Sequence, residues 1–233
     1  MTLQLIKIES TPDLVDQVYN SLLDAISDGS MAPGARIMQE DIAEQLAVSR
    51  QPVLQALRML KKDGFVLDAP GRGVLVAPLD VAWLSQIYQV RSALDALAAR
   101  LAARARYQID PALISQGRAA ARGNNVKAMM ATDLQFHAAL YAASGNPLIA
   151  QSAQLHWRHI RRAMGAVLQV STMRESIWDE HEAIAKAVSQ GDEDTAETLI
   201  RQHDEDASHN LASLLSSALN ESASSPAITA LAP

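Results

Sequence analysis

Cysteine is absent from all 233 residues, which excludes a disulfide scaffold, a thiolate-ligated zinc site and a cysteine nucleophile. Aromatic residues are scarce, with two Phe, four Tyr and three Trp. Ala and Leu are abundant in their place, a balance that favours helices packed on helices over a sandwich of aromatic and β-branched strands. Nowhere do about eighteen uncharged apolar residues follow one another, so a membrane span is not expected. Met1 to Ser10 (MTLQLIKIES) lacks the cationic start and apolar run of an export signal, and the expected location is the cytoplasm. Charge of one sign is only mildly in excess, 26 acids against 20 bases, which excludes a generally basic nucleic-acid coat. What is present is ordinary for a globular chain, 48% apolar and 20% charged, long enough for one large domain or two small ones.

The chain changes character near residue 78. Up to that point Gly and Pro punctuate short mixed segments. Leu14, Val18, Leu22 and Ile26 mark one helix face that stops at Gly29. A second short helix carries Ile42, Ala43 and Leu46, and Ser49 is the expected N-cap of a third with Val53, Leu57 and Leu60 inward. Pro52 fits the first turn of that helix, where its missing N–H has no partner to lose. Val66 and Val74 to Val76 then read as two short strands around the tight loop Pro70-Gly71-Arg72-Gly73. Beyond residue 78 the periodicity predicts long amphipathic helices over 80–106, 111–122, 124–143, 147–170, 172–190 and 192–218. The expected fold class is therefore mainly α: a winged helix-turn-helix over 1–78, an antiparallel bundle of about six helices over 79–218, and a flexible tail over 219–233.

A helix, a helix, a turn, a helix and a wing place the third helix in a DNA major groove. Its outward strip carries Arg50, Leu54 and Arg58, with Gln51 and Gln55 beside them. Arg50 and Gln51 are the expected base readers, Arg for guanine and Gln for adenine. Ser49, with the helix N-terminus, can bond a phosphate, as can Arg72 at the wing tip and Lys61 and Lys62. Residues 1–78 hold seven bases against ten acids, but five bases and two acids lie between Arg50 and Arg72.

In the helical region Asp133 and His137 are four apart, so both can reach one ion. Met130, Asp133, Leu134, His137 and Tyr141 are expected on one inner stripe. His181 falls between Ile177 and Ile184 on the next, and His203 follows Ala196, Leu199 and Ile200 on the last. Separate hydrogen bonds in the core would satisfy any one of these groups, whereas one shared divalent cation satisfies all of them. Mixed N/O ligation suits zinc first, with nickel, manganese or iron also accommodated. Arg91 and Asp95 interrupt another apolar stripe and either pair with each other or present Arg91 to a ligand carboxylate. Asn146 either caps the helix at Pro147 or lines a cavity. His156 either faces an inner space or lies at the surface, and His159, among Arg158, Arg161 and Arg162, is expected on a solvated basic face. Spacing places no further buried carboxylate beside the four ligands.

Pro33-Gly34, Glu40, Ile42-Ala43-Glu44, Val48-Ser49-Arg50, Pro52-Val53, Ala56-Leu57, Gly64 and Pro70-Gly71-Arg72-Gly73 resemble the winged helix-turn-helix of GntR-family transcription regulators. Leu54 stands where that family has an Arg that contacts DNA. Arg91-Ser92-Ala93-Leu94-Asp95, Asp133-Leu134-Gln135-Phe136-His137, Ser144-Gly145-Asn146-Pro147, Glu180-His181-Glu182 and His203 resemble the FadR-type (FCD) ligand-binding domain of the same regulators. The resemblance implies a divalent metal on Asp133, His137, His181 and His203, and it favours Arg91 as an effector-binding residue. The expectation is a homodimeric, non-enzymatic regulator that binds an inverted-repeat operator in double-stranded DNA and responds to a small carboxylate effector. A metal-dependent hydrolase and a structural-metal protein without effector response are the alternatives.

Overall fold

The computed structural model describes residues 14–123, 125–167 and 176–224. The chain divides into two compact units between Pro78 and Leu79. In the first unit, α1 (Leu14–Ser27), α2 (Gln39–Gln45) and α3 (Arg50–Lys62) accompany a small sheet of β1 (Arg36–Ile37), β2 (Val66–Asp68) and β3 (Val74–Val76). Val18, Leu22 and Ile26 of α1 and Val53, Leu57 and Leu60 of α3 are all buried, and these two helices pack together. Such burial stabilises by roughly 1.5–3 kcal/mol per large aliphatic side chain. Tyr19 ties the same pair of helices at the rim, its hydroxyl donating to Asp63 Oδ2 at 2.6 Å.

The sheet has three strands rather than the two expected, in the order β1-β3-β2 and antiparallel throughout. β1 is only two residues long, too short to show a period of two in the sequence. It sets Arg36 opposite Leu75, and the Arg36 guanidinium donates to the carbonyls of Arg72 at 3.0 Å and Pro70 at 2.9 Å, bracing the wing tip. Gly73 has φ +84°, and a Cβ there would lie 2.6 Å from the Ile37 carbonyl oxygen, so only glycine lets the wing close on β1. Ser49 has the extended backbone of an N-cap, but its side chain makes no cap hydrogen bond. The expected capping role is corrected on that point: the hydroxyl is not turned onto the helix amides.

The second unit contains α4 (Val81–Arg104), α5 (Pro111–Arg122), α6 (Val126–Ala143), α7 (Pro147–Val167), α8 (Ile177–Gln190) and α9 (Glu193–Ser224). Side-chain oxygens hold the starts of several: Asp80 accepts from the amides of Ala82 and Trp83, Asp110 from Ala112, and Asn125 from Ala128. Asn146 caps α7 by accepting from Leu148 N at 3.1 Å, which makes the cap its role. The predicted stretches 168–170 and 172–175 fall outside the described residues. α9 runs past the expected end at 218, because neither Gly nor Pro interrupts residues 192–225. Of the expected tail over 219–233, residues up to Ser224 are helical and the rest lie outside the described residues.

α4 packs against α6, α7, α8 and α9, most extensively against α9. Ala96, Ala98, Ala99, Ala102 and Ala103 are buried along it, and such small side chains let neighbouring helices approach closely. Gly117 of α5 plays the same part against α8: a Cβ there would lie 2.0 Å from the ring of Trp178. Gly117→Ala is expected to displace that ring and cost about 1–3 kcal/mol of stability, which denaturant unfolding of the whole chain would measure. Unchanged stability would mean that the α5–α8 contact yields without strain.

Candidate functional site

α6, α8 and α9 bring four side chains to one point in the helical unit. Asp133 and His137 lie one turn apart on α6, His181 comes from α8 and His203 from α9. Each offers a ligand atom, all of these lie within 4.8 Å of one another, and all four residues are buried. His181 Nε2 is 3.3 Å from His203 Nε2 and 3.5 Å from Asp133 Oδ1. Phe136 stacks on the His181 ring at 4.1 Å between centroids, and Trp178 meets it edge-on at 4.7 Å, so the imidazole is fixed between two aromatic side chains.

A second set of carboxylates orients the rings. His203 Nδ1 lies 2.8 Å from Glu180 Oε2, so this nitrogen donates and Nε2 keeps its lone pair for the centre. His137 lies between a guanidinium and a carboxylate, its Nε2 2.8 Å from Arg91 Nη2 and its Nδ1 3.0 Å from Asp95 Oδ2. Asp95 in turn accepts from Arg91 Nε at 3.1 Å and from the Tyr141 hydroxyl, which itself accepts from Trp157 Nε1 at 3.0 Å. A carboxylate behind a histidine fixes its tautomer and raises its basicity as a ligand.

Burial decides the protonation states. It lowers the His181 pKa well below the usual imidazole value, aided by the neighbouring His203, His137 and Arg91. Burial and Arg91 likewise lower His137, against the pull of Asp95. Neutral imidazoles are the form that binds a metal. Burial alone would raise Asp95, but Arg91 and His137 outweigh it and bring its pKa down to about 2. Asp133 Oδ1 and His181 Nδ1 are buried without a hydrogen-bond partner. An orphaned carboxylate oxygen facing imidazole lone pairs is a donor set that fits a divalent cation.

The side chains expected as ligands thus come together at one point, and Arg91 pairs with Asp95, one of the two alternatives their spacing offered. Other expectations need correction. Leu134 is 39% exposed, because α6 is rotated so that Met129, Phe136 and Leu140 join Asp133 and His137 inside. His159 and Arg162 are buried rather than solvated, since α7 turns that side inward. His156 is half-buried with its Nδ1 unpartnered. Further carboxylates do lie buried beside the four ligands. Asp95 was visible as a stripe-breaking residue. Asp204 was masked by the acidic run Asp204-Glu205-Asp206, which reads as a solvated face.

In the winged unit Arg50, Gln51, Gln55 and Arg58 are exposed along α3, Ser49 is exposed at its start, and Leu54 is half-buried between them. Arg72 is exposed at the wing tip. Arg50 Nη1 lies 3.4 Å from Glu40 Oε1 of α2, an exposed pair of the kind worth little in water. Lys61 Nζ reaches Asp68 Oδ2 of β2 at 2.5 Å. Arg36, which sequence reasoning passed over, holds the wing carbonyls; the position of an arginine on a two-residue strand gives no periodic signal.

Among the described residues no helix is long and apolar enough to cross a membrane. Residues 14–76 match the model of bacterial regulatory proteins of the gntR family, and residues 86–206 match the FCD domain. The HTH-type transcriptional regulator McbR of Escherichia coli (strain K12) is 28% identical over 145 residues, 60% of this chain and 66% of that protein. An HTH-type transcriptional regulator in an unstable DNA locus of Streptomyces ambofaciens is 28% identical over 191 residues, 80% of each chain. Among solved structures, E. coli McbR/YncC has a TM-score of 0.71 at 21% identity, covering 90% of this chain and 99% of that one. A GntR regulator from Rhodococcus sp. RHA1 gives 0.70 at 22% identity, over 85% and 97%. These likenesses show the same fold, a winged helix-turn-helix followed by a helical domain. With a gntR-type reading head matched over residues 14–76 and an FCD domain over 86–206, the chain belongs to the GntR family of DNA-binding transcription regulators, in its FCD branch.

Proposed function

We propose that this regulator binds an inverted-repeat operator as a homodimer, and that a small organic acid in the metal-containing helical unit controls that binding. The observation that carries the reading is the convergence of four buried ligand atoms within 4.8 Å, with carboxylates set behind two of the three imidazoles. Asp133, His137, His181 and His203 hold the cation, with zinc suited by its N/O donor set and nickel, manganese or iron compatible with it. The cation supplies fixed positive charge to an otherwise buried anionic site. Arg91 lies against the same cluster, and its guanidinium receives the effector carboxylate. An effector acts only through unequal affinity for the arrangements that bind and release DNA.

Arg50 and Gln51 read base edges, Leu54 meets a thymine methyl in place of the family's arginine, and Gln55 and Arg58 complete the strip. Ser49 and Arg72 hold phosphates; the Ser49 hydroxyl, not engaged in capping, is available for this. Two winged units on half-sites about 34–36 Å apart require a two-fold dimer. On α4 the exposed Trp83, Val90 and Leu97 recur every seven residues, the spacing of a self-complementary helix stripe, and a second copy of α4 is its natural cover.

Recovery of a short palindrome from genomic fragments by the purified protein tests the DNA half of this reading, and no enrichment would defeat it. Arg50→Ala is expected to lose about 1–3 kcal/mol of specific affinity while binding to random DNA changes less; equal losses would make Arg50 a phosphate contact. His181→Ala and His203→Ala are each expected to lower bound metal per chain, measured by elemental analysis, and unchanged stoichiometry in both would defeat the shared site. Glu180→Gln is expected to weaken metal binding by about 10–100-fold while leaving the fold intact.

A further inference from the structure

The tip of the wing has little of its own to hold it in shape. Pro70, Gly71, Arg72 and Gly73 are all exposed, so burial does not fix the loop. Within it Ala69 N reaches the Gly73 carbonyl only at 3.5 Å, the outer limit for such a bond, and Pro70 has no N–H to donate. Gly71, with φ +84°, adds backbone freedom that must be lost whenever the tip is ordered. The neighbouring strand supplies what the loop lacks. The chain entering β1 is tied to β3 by main-chain bonds, Gly34 N to the Val76 carbonyl and Val76 N to the Ala35 carbonyl, both at 2.9 Å. From that strut the exposed Arg36 forks onto two alternate carbonyls of the loop, Nη1 to Arg72 at 3.0 Å and Nη2 to Pro70 at 2.9 Å.

A planar guanidinium that takes both carbonyls fixes their separation and the plane they share, which an ammonium on a flexible stem does not. The carbonyl of Arg72 is one of the two, so Arg36 sets the backbone from which the Arg72 side chain leaves the wing. We infer that Arg36 is a positioning residue for DNA binding: it orders the wing in the free protein, so that Arg72 meets a backbone phosphate without the loop having to be ordered in the complex. The inference rests on the phosphate contact proposed for Arg72 and names the side chain that makes that contact effective. Arg36 acts through main-chain carbonyls, so the fork rather than the charge is what DNA binding requires of it. A lysine in its place keeps the charge and could hold a phosphate directly, but has no planar pair of donors for the two carbonyls.

The test measures binding of the full-length protein to a fluorescent mixed-sequence duplex of about 40 base pairs, over a range of salt concentrations, for Arg36→Lys, Arg36→Met and Arg72→Met, singly and combined. Arg72→Met is expected to weaken binding and to reduce the salt slope by about one. Arg36→Lys is expected to weaken binding by about three- to tenfold and to reduce the slope in the same direction, although the net charge is unchanged. With Arg72→Met already present, the same change is expected to weaken binding by less than about twofold, because the contact it supports is gone. Arg36→Met should match Arg36→Lys, and thermal unfolding of the free variants separates loss of the winged fold from loss of the wing's aim. Wild-type affinity and slope in Arg36→Lys, with loss only in Arg36→Met, would make Arg36 a phosphate contact in its own right and overturn the inference. Equal losses with and without Arg72 would mark a purely structural role and overturn it too, leaving the Arg72 contact standing. No effect of Arg72→Met on affinity or slope would overturn the reading of Arg72 itself.

Discussion

Three carboxylates, one guanidinium and three imidazoles are buried together where α4, α6, α8 and α9 meet, and a helical bundle can hold that many polar groups only if they satisfy one another. This constraint organises the second unit. α4 supplies Arg91 and Asp95, one turn apart, and its alanines let α9 approach closely enough for Asp204 and His203 to enter from the other side. Trp157 and Tyr141 close the far end of the network, stacking on the guanidinium and bonding Asp95. Replacing any one member alone leaves a neighbour uncompensated in low dielectric, the circumstance in which buried pairs matter most.

The network is graded in its protonation. Burial keeps His137 and His181 neutral, which is what ligation requires, whereas the adjacent guanidinium keeps Asp95 ionised beside His137. Helix capping by Asp80, Asp110, Asn125 and Asn146 fixes where each element starts, and therefore which turn of it faces the cluster. The winged unit is built on a different economy. Its core is apolar, with Phe65 and Tyr19 among aliphatic side chains, and charged groups lie outward on α3 and at the wing, where Arg36 and Gly73 hold the loop that carries Arg72.

Much of this was legible beforehand, because it rests on periodicity and on residues with few structural roles. The helical periods, the Gly and Pro breaks, and the four metal-type side chains at helical spacing needed no coordinates. The rotation of α6 did not follow from its sequence: that helix is apolar on several sides, and neighbours decide whether Leu134 or Phe136 goes inside. β1 escaped because two residues carry no pattern, and α9 outran its expected end because nothing in Asn220 to Ser224 stops a helix.

What the amino-acid sequence determined by itself was the family, the division into a reading head and a helical unit, and the identity of the residues that could share an ion, since these depend on residue type and local spacing. What only the tertiary structure decided was partnership. Glu180 behind His203, Arg91 on His137, and Asp204 buried beside Arg91 are meetings of residues between 23 and 113 positions apart, fixed by how α4, α6, α8 and α9 cross. A carboxylate in an acidic run looks like surface until a second helix covers it, because burial is a property of the packed assembly and not of the segment that carries it.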